Sequence, residues 1–253
     1  MPLRLAHAMR ALGKDELPGQ IRVRQFVYTL DQTIKHDFFA ATGFYKDTFG
    51  NRAVGKFGRR ISFYGLPTAW IGRWLVAREV HFYTRLSDVP NVPQVLERAP
   101  TYFLHEYVPG KPLKRGEKTP DLFFAQLRTL LEELHRREIA YVDTNKPENI
   151  LLGEDEKPHL IDFQISWDLM GLGNNFVNRW WLRRLQRGDL YHILKHKKRI
   201  RPDQFTEEDR KALENRGVLI NLHRLVTKPY FVVRRKLFKW MRAKGWLLPE
   251  GSK

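Results

Sequence analysis

Apolar residues recur at helical spacing in two long stretches of the chain. Between Asp121 and Arg137, Leu122, Phe123, Ala125, Leu127, Leu130, Leu131 and Leu134 form a wide stripe, which predicts a core helix. Ile71, Leu75, Val80 and Tyr83 give a second helix between Trp70 and Leu86. Shorter apolar runs bounded by turn residues predict strands. His36 to Tyr45 and Arg52 to Phe57 read as a pair about the turn KDTFGN, and Gln94 to Glu97 and Thr101 to Val108 as two more. Ile21 to Ile34 mixes β-branched, aromatic and charged residues and decides for neither strand nor helix. After the core helix a polar loop with Asp143, Lys146, Pro147, Glu148 and Asn149 runs into Ile150-Leu151-Leu152. The turn-like GEDEKP then returns the chain as His159-Leu160-Ile161, a short hairpin. Further on, NRWWLRRLQRGDLYHILKHKKR predicts a basic helix interrupted near Gly188.

Composition narrows the chemistry. A chain of 253 residues can bury a real core, as one two-lobed domain or two small ones. The absence of cysteine excludes disulfides, thiolate metal sites and a thiol nucleophile. Lysine and arginine exceed aspartate and glutamate by 45 to 28, a net +17, so the field favours an anionic partner: nucleotide, nucleic acid or a phosphate-bearing membrane surface. No recognisable nucleic-acid reader motif accompanies the charge, so no nucleic acid is expected. No stretch approaches the roughly 18 to 20 apolar residues of a membrane span, and the N-terminus lacks the apolar block of a secretory signal. The expectation is a cytoplasmic protein. The opening MPLRLAHAMRALGK reads as a short amphipathic helix, for docking on the fold, for a membrane surface or for organelle targeting.

The hairpin after the core helix sets Asn149 and Asp162 close together beside a basic loop. Two oxygen donors there suit a hard cation that itself carries phosphate, since magnesium accepts one or two protein oxygens and fills its shell from water and phosphate. KPEN followed by ILL, with IDF ending the hairpin, resembles the catalytic loop and metal-binding DFG motif of the protein-kinase-like fold. The resemblance implies an α+β, two-lobed fold: a small antiparallel-sheet N-lobe with one helix, and a mainly helical, truncated C-lobe. It implies ATP and Mg2+ as cofactors, with Asn149 and Asp162 holding the metal. Asp143 would accept or orient the acceptor hydroxyl's proton, and Lys146 would offset charge on the moving phosphoryl group. Lys56 in AVGKF would hold the α and β phosphates, Glu79 would pair with Lys56, and the carbonyl of Glu106 and amide of Val108 in HEYVPG would read the adenine.

The chain departs from that pattern in several places. Only Gly43 and Gly50 flank FYKDTF, which implies a differently built phosphate cover using Lys46, Thr48 or backbone amides. The interval from Asp143 to Asn149 is one residue longer than usual, so Asp143 keeps its place only if the loop bulges. Gln164 replaces the DFG glycine, which restricts the backbone. No Ala-Pro-Glu follows, so the peptide-docking platform of protein kinases is missing. Asp189 reads either as a buttress that accepts catalytic-loop amides or as a plain N-cap.

The small size and the DFQ variant are similar to compact bacterial kinases of lipopolysaccharide core heptose or Kdo sugars and to RIO-like kinases. The organisation expected is an N-terminal extension (1–37), an N-lobe (38–108), a C-lobe with the catalytic and metal loops (109–205) and a basic C-terminal helical extension (206–253). Asn215 to Pro249 carries no acid and interleaves basic residues with leucine and aromatics, as a helix lying on an anionic bilayer would. The implied function is an ATP-dependent kinase acting on a hydroxyl of a lipid-linked sugar, peripheral on the inner face of the cytoplasmic membrane. A protein serine/threonine kinase and a catalytically inactive nucleotide-binding pseudokinase are the alternatives.

Overall fold

The computed structural model describes residues 7–214 apart from 115, 117, 171 and 172. The described chain divides into two compact units: residues 7–77 with 96–105, and residues 78–95 with 106–214. The basic segment from residue 215 on lies outside the described residues. Among those residues no helix is long and apolar enough to cross a membrane.

The first unit is built on a six-stranded sheet in the order β1-β2-β3-β4-β6-β5. Its strands are β1 (Gln20–Val23), β2 (Phe26–His36), β3 (Ala40–Lys46), β4 (Arg52–Gly58), β5 (Val95–Ala99) and β6 (Tyr102–Glu106). Residues 20–36, expected within an N-terminal extension, thus supply two strands. Ile21 and Val23 alternate inward there, and Tyr28 follows them into the core. The strand expected over His36–Tyr45 is interrupted, because Asp37 caps a tight turn in which its Oδ1 accepts the amides of Phe39 and Ala40 at 2.8 and 2.9 Å.

One sheet face carries Ala41 and Tyr45 from β3 and Ala53 and Phe57 from β4, packed with Leu12, Leu17 and Leu104. Burying Phe57 or Leu104 contributes about 1.5 to 3 kcal/mol each. Gly55 makes room for the Tyr45 ring, since a Cβ at that position would lie 2.6 Å from it. The Tyr45 hydroxyl donates to the carbonyl of Pro18 at 2.9 Å. Leu12 of the opening segment is therefore a docking residue of this core.

Just past β4, Arg59 is fully buried. Its guanidinium donates to the hydroxyl of Thr68 at 2.7 Å and to the carbonyls of Ala8 at 2.8 Å and Phe38 at 3.0 Å, over the Phe38 ring. Neutral oxygens alone thus satisfy a cation that burial disfavours. The first helix, α1 (Ala69–Arg85), crosses this strand end so closely that only glycine fits at the contact. A Cβ on Gly72 would sit 2.2 Å from the Arg59 carbonyl oxygen.

The second unit begins with the second half of α1. Its core helix, α2 (Phe123–Arg136), buries Phe123, Phe124, Leu127, Leu130, Leu131 and Leu134, the predicted stripe. A small sheet in the order β10-β9-β7 joins β7 (Gly110–Pro112), β9 (Ile150–Gly153) and β10 (Pro158–Leu160). A two-stranded ladder pairs β8 (Ile139–Ala140) with β11 (Trp167–Asp168). Helix α3 (Phe176–Ile200) and the short α4 (Glu207–Glu214) complete the unit. The interruption expected near Gly188 does not occur. One interior glycine costs a helix only about 1 kcal/mol, and Leu182, Asp189, Ile193 and His196 anchor α3 on both sides of it.

Gly72→Ala tests the helix-strand crossing. It should lower the unfolding free energy by about 1 to 3 kcal/mol, the usual result of overpacking against backbone, as read by urea denaturation, whereas Gly19→Ala, where a Cβ would meet nothing within 4 Å, should cost less.

Candidate active site

The ladder β8–β11 and helix α3 fix the loop that follows β8. Tyr141 and Val142 donate their amides to the two carboxylate oxygens of Asp189, at 2.9 and 2.8 Å, and the Thr144 hydroxyl donates to the same group at 3.2 Å. His135 on α2 lies 3.2 Å away. Asp189 stands in the middle of α3, whose N-cap is Asn175 accepting the Asn178 amide at 2.9 Å. It is thus the buttress and not a cap. The reach matters because Val142, a β-branched residue, takes a φ of 70°, a conformation that costs about 1 to 3 kcal/mol and persists only where neighbours enforce it. His196, further along α3, donates from Nε2 to the carbonyl of Thr144 at 2.9 Å. Burial holds its pKa below the ordinary value, so the ring is neutral and its tautomer fixed.

The loop then makes two consecutive 3-10 turns, Asp143–Asn145 and Pro147–Asn149. They accommodate the extra residue between Asp143 and Asn149. The carboxylate oxygen Oδ2 of Asp143 accepts from Lys146 Nζ at 2.6 Å and from Asn149 Nδ2 at 2.8 Å. Burial raises the Asp143 pKa above its usual value, and the hydrogen bond from Lys146 only partly opposes this. A basic oxygen in a partly desolvated place is what proton acceptance from a hydroxyl needs.

Asp162 enters from the hairpin. Ile161 donates its amide to the Asn149 carbonyl at 3.1 Å, which puts the two predicted metal ligands at the adjoining ends of the β9–β10 hairpin. The Tyr141 hydroxyl donates to the Ile161 carbonyl and reaches that of Asn149 at 3.4 Å. Asp162 has a φ of 62°, with its amide donated to the Tyr83 hydroxyl at 3.1 Å. Phe163 is fully buried edge-to-face between Tyr83 and Tyr141, at 5.1 and 5.0 Å. Gln164 lies in the turn closed by Ser166 on Phe163, at a φ any residue can adopt, so no glycine is demanded there.

The segment after this turn is held by α1. Arg78 donates to the Ser166 carbonyl, while His81 and Arg85 reach the Asp168 carboxylate at 2.7 and 2.6 Å. Burial alone would raise the Asp168 pKa, and these two hydrogen bonds outweigh it and hold it low. None of these contacts was foreseen from the sequence. The available signal was the spacing of Arg78, His81 and Arg85 along one side of a helix whose polar face was otherwise read only for Glu79.

Of the predicted residues, the second unit brings together Asp143, Lys146, Asn149 and Asp162. Glu79 is buried on α1, close enough to Tyr83 to help raise its pKa behind the larger effect of burial. Lys56 lies in the first unit on β4, opposite Thr42 of β3. Glu106 ends β6, its amide donated to the Gln94 carbonyl at 2.9 Å, and the Val108 amide makes no hydrogen bond among the described residues. For magnesium the donor set fits: Asn149 and Asp162 offer oxygens. Among the described residues there is no cluster of three or more His, Cys, Asp or Glu that would favour a metal with an all-protein shell.

The expected phosphate cover around Gly43 and Gly50 is corrected. Asp47 Oδ1 takes the amides of Phe49 and Asn51 at 2.9 and 2.8 Å, and Gly50 donates to the Asp47 carbonyl, so these amides have no capacity left for phosphate. Gly43 is small because a Cβ would meet Leu17 at 2.7 Å. The ladder pairs Lys56 with Thr42, Gly58 with Ala40 and Arg52 with Lys46, so the turn at the nearer end of the sheet is Asp37–Phe39.

No protein-family model matches the chain. A stretch of 67 residues is 40% identical to the serine/threonine-protein kinase ULK3 of human and mouse, covering 23% of this chain and 14% of that protein. A stretch of 102 residues is 32% identical to CBL-interacting protein kinase 26 of rice, covering 36% of this chain and 20% of that one. The chain therefore spans a fifth or less of these relatives. Among solved structures it is similar to the Rio2 kinase-ADP/Mg2+-phosphoaspartate complex from Chaetomium thermophilum, with a TM-score of 0.53 and 18% identity over 75% of this chain and 62% of that one. It is also similar to the BubR1 kinase domain, with a TM-score of 0.50 and 14% identity over 75% and 66%. The fold is protein-kinase-like, RIO-like kinases included.

Asp189→Ala would strand three donors in the loop that follows β8. The expected loss is about 3 kcal/mol or more in unfolding free energy, with amide exchange at Tyr141 and Val142 accelerated ahead of that in α2. Unchanged protection at those two amides would remove Asp189 as the buttress.

Proposed function

We propose that the chain is an ATP- and Mg2+-dependent phosphotransferase that moves the γ-phosphoryl group to a hydroxyl of a small, lipid-linked acceptor, with a lipopolysaccharide core sugar as the acceptor class its family resemblance implies. The observation that carries the reading is the Asp143 carboxylate, partly buried, raised in pKa and aligned by Lys146 and Asn149. The acceptor oxygen bonds to the γ-phosphorus as the bridging oxygen of ADP departs, and Asp143 takes the hydroxyl proton. Lys146 lies beside that carboxylate and offsets the charge gathering on the transferred group. Phosphoryl transfer is mainly positioning and electrostatics, so fixed groups of this kind suffice. Asn149 and Asp162 are the residues that would hold magnesium, which when bound neutralises charge on the phosphate oxygens. Under this reading Lys56 takes the α and β phosphates, and the Glu106 carbonyl and the Val108 amide read the adenine.

The segment after Asp162, residues 163–170, bears on the acceptor class. Their first part is fastened by Arg78, His81 and Arg85 through Ser166 and Asp168, which leaves little chain to build a peptide-docking platform. A substrate drawn from a membrane surface and phosphorylated on the cytoplasmic side, where ATP is available, suits that economy. Protein serine or threonine is the second reading, favoured by the local identity to two serine/threonine-type kinases.

Asp143→Asn should lower turnover by roughly two to four orders of magnitude, with nucleotide binding retained in a calorimetric titration. The base must be deprotonated to act, so kcat/KM should fall as pH drops through the raised Asp143 pKa. The acidic limb should lie above the ordinary aspartate value of about 3.9 and be absent from the residual activity of the variant.

Transfer of labelled γ-phosphate into a cell-envelope extract separates the acceptor classes. Label in the lipid-sugar fraction is the expected result, label in polypeptide establishes the second reading, and no label in either with the wild-type protein removes the proposed activity.

A further inference from the structure

Helix α3 has two unlike sides. Leu182, Leu185 and Asp189 face the catalytic loop, where Leu182 is buried with Ala140 and Leu169, and Val142, Trp167 and Leu185 pack around them. The opposite arc is apolar over its first two turns. Phe176 is 82% exposed, Val177 67%, Trp180 45% and Trp181 43%. At about 100° per residue, Arg183, Arg184 and Arg187 fall on the same outward arc, which spans roughly 160°. None of these three arginines has a carboxylate partner among the described residues, unlike Arg85, Arg128, Arg136, Arg137 and Arg201. Four residues of helix, about 6 Å, separate Trp180 from Arg184, so a plane resting on the aromatic rings also meets the guanidinium groups.

We infer that this arc of α3 docks on an anionic lipid surface, with Phe176, Trp180 and Trp181 entering the headgroup region and Arg183, Arg184 and Arg187 pairing with lipid phosphates. Tryptophan beside unpaired arginine is the composition that the bilayer interface selects, since the rings are amphipathic and the cations find phosphate. Charge decides among occupants. The chain's own segment 215–249 contains no acid, and a second copy brings another net +17, so both would set like charge against the three arginines. The surface deepens the proposed function and rests on it for its purpose. The inner side of the same helix holds Tyr141 and Val142, so docking the outer side would hold the catalytic loop about one helix diameter, roughly 10 Å, from the lipid surface, within reach of a hydroxyl on an extended headgroup.

The test is flotation of the full chain with vesicles of phosphatidylcholine alone or mixed with phosphatidylglycerol. The wild type should float with the mixed vesicles. R183E/R184E/R187E should weaken that partition on the order of 100-fold, and F176S/W180S about tenfold or more, both with an unchanged melting midpoint. Quenching by brominated phosphatidylglycerol gives a second readout that the conservative W180F/W181F change should diminish. Wild-type partition from both substituted proteins would overturn the inference, as would equal binding to neutral vesicles. So would a wild-type dimer in sedimentation that F176S/W180S dissociates. Vesicle binding by a wild type that transfers no phosphate would leave the docking surface standing and remove the activity. Transfer to a soluble acceptor without vesicle binding would do the reverse.

Discussion

The second unit depends on one buried carboxylate. Asp189 reaches from the middle of α3 to the amides of Tyr141 and Val142 and the hydroxyl of Thr144, and so holds Val142 in a left-handed conformation its branched side chain disfavours. The direction of the chain at Asp143 follows from that enforced bend. Without an acceptor for those amides the loop would relax to an ordinary extended backbone, and the Asp143 carboxylate would leave Lys146 and Asn149. A long helix is a suitable carrier for the constraint, because its own ladder satisfies its backbone and frees the side chain to serve another segment.

The same economy explains how the loop absorbs an additional residue. Each 3-10 turn closes on itself, through Lys146 onto Asp143 and Ile150 onto Pro147. Length is therefore taken up locally while the two ends stay fixed, one by Asp189 and the other by the pairing of β9 with β10 and β7. Tyr141 adds a tie between the loops, since its hydroxyl meets the carbonyls of Asn149 and Ile161. Where the family pattern commonly has histidine, a buried tyrosine here joins the residues next to both predicted metal ligands.

Behind Asp162 the chain trades mobility for ion pairs. Phe163 is wedged between two tyrosines, and Ser166 and Asp168 are gripped by α1. Partly buried charge-assisted hydrogen bonds of this kind are worth more than surface pairs, so this segment is fixed to the helix that carries Glu79.

From the sequence alone came the elements with strong periodicity and the residues whose spacing resembles a known motif. The α2 stripe and the hairpin of β9 and β10 are legible because each depends on neighbours within a few residues, and the motif spacing of Asp143, Lys146, Asn149 and Asp162 is legible too, although Asp189 and Tyr83 decide where two of those residues sit. What stayed illegible depends on partners far along the chain. The two first strands could not be told from an extension until Ile21 and Tyr28 had a sheet to face. Gly43 looked like part of a phosphate loop although Leu17 dictates it. Asp189 read equally well as a cap, and Gly188 as a break, until α3 was anchored on both sides. Arg59, Arg78 and Arg85 showed only as charge. Local spacing fixes hydrogen-bond ladders and apolar stripes, whereas buried carboxylates and guanidinium groups acquire their meaning from whichever distant backbone atoms the finished fold brings within 3 Å of them.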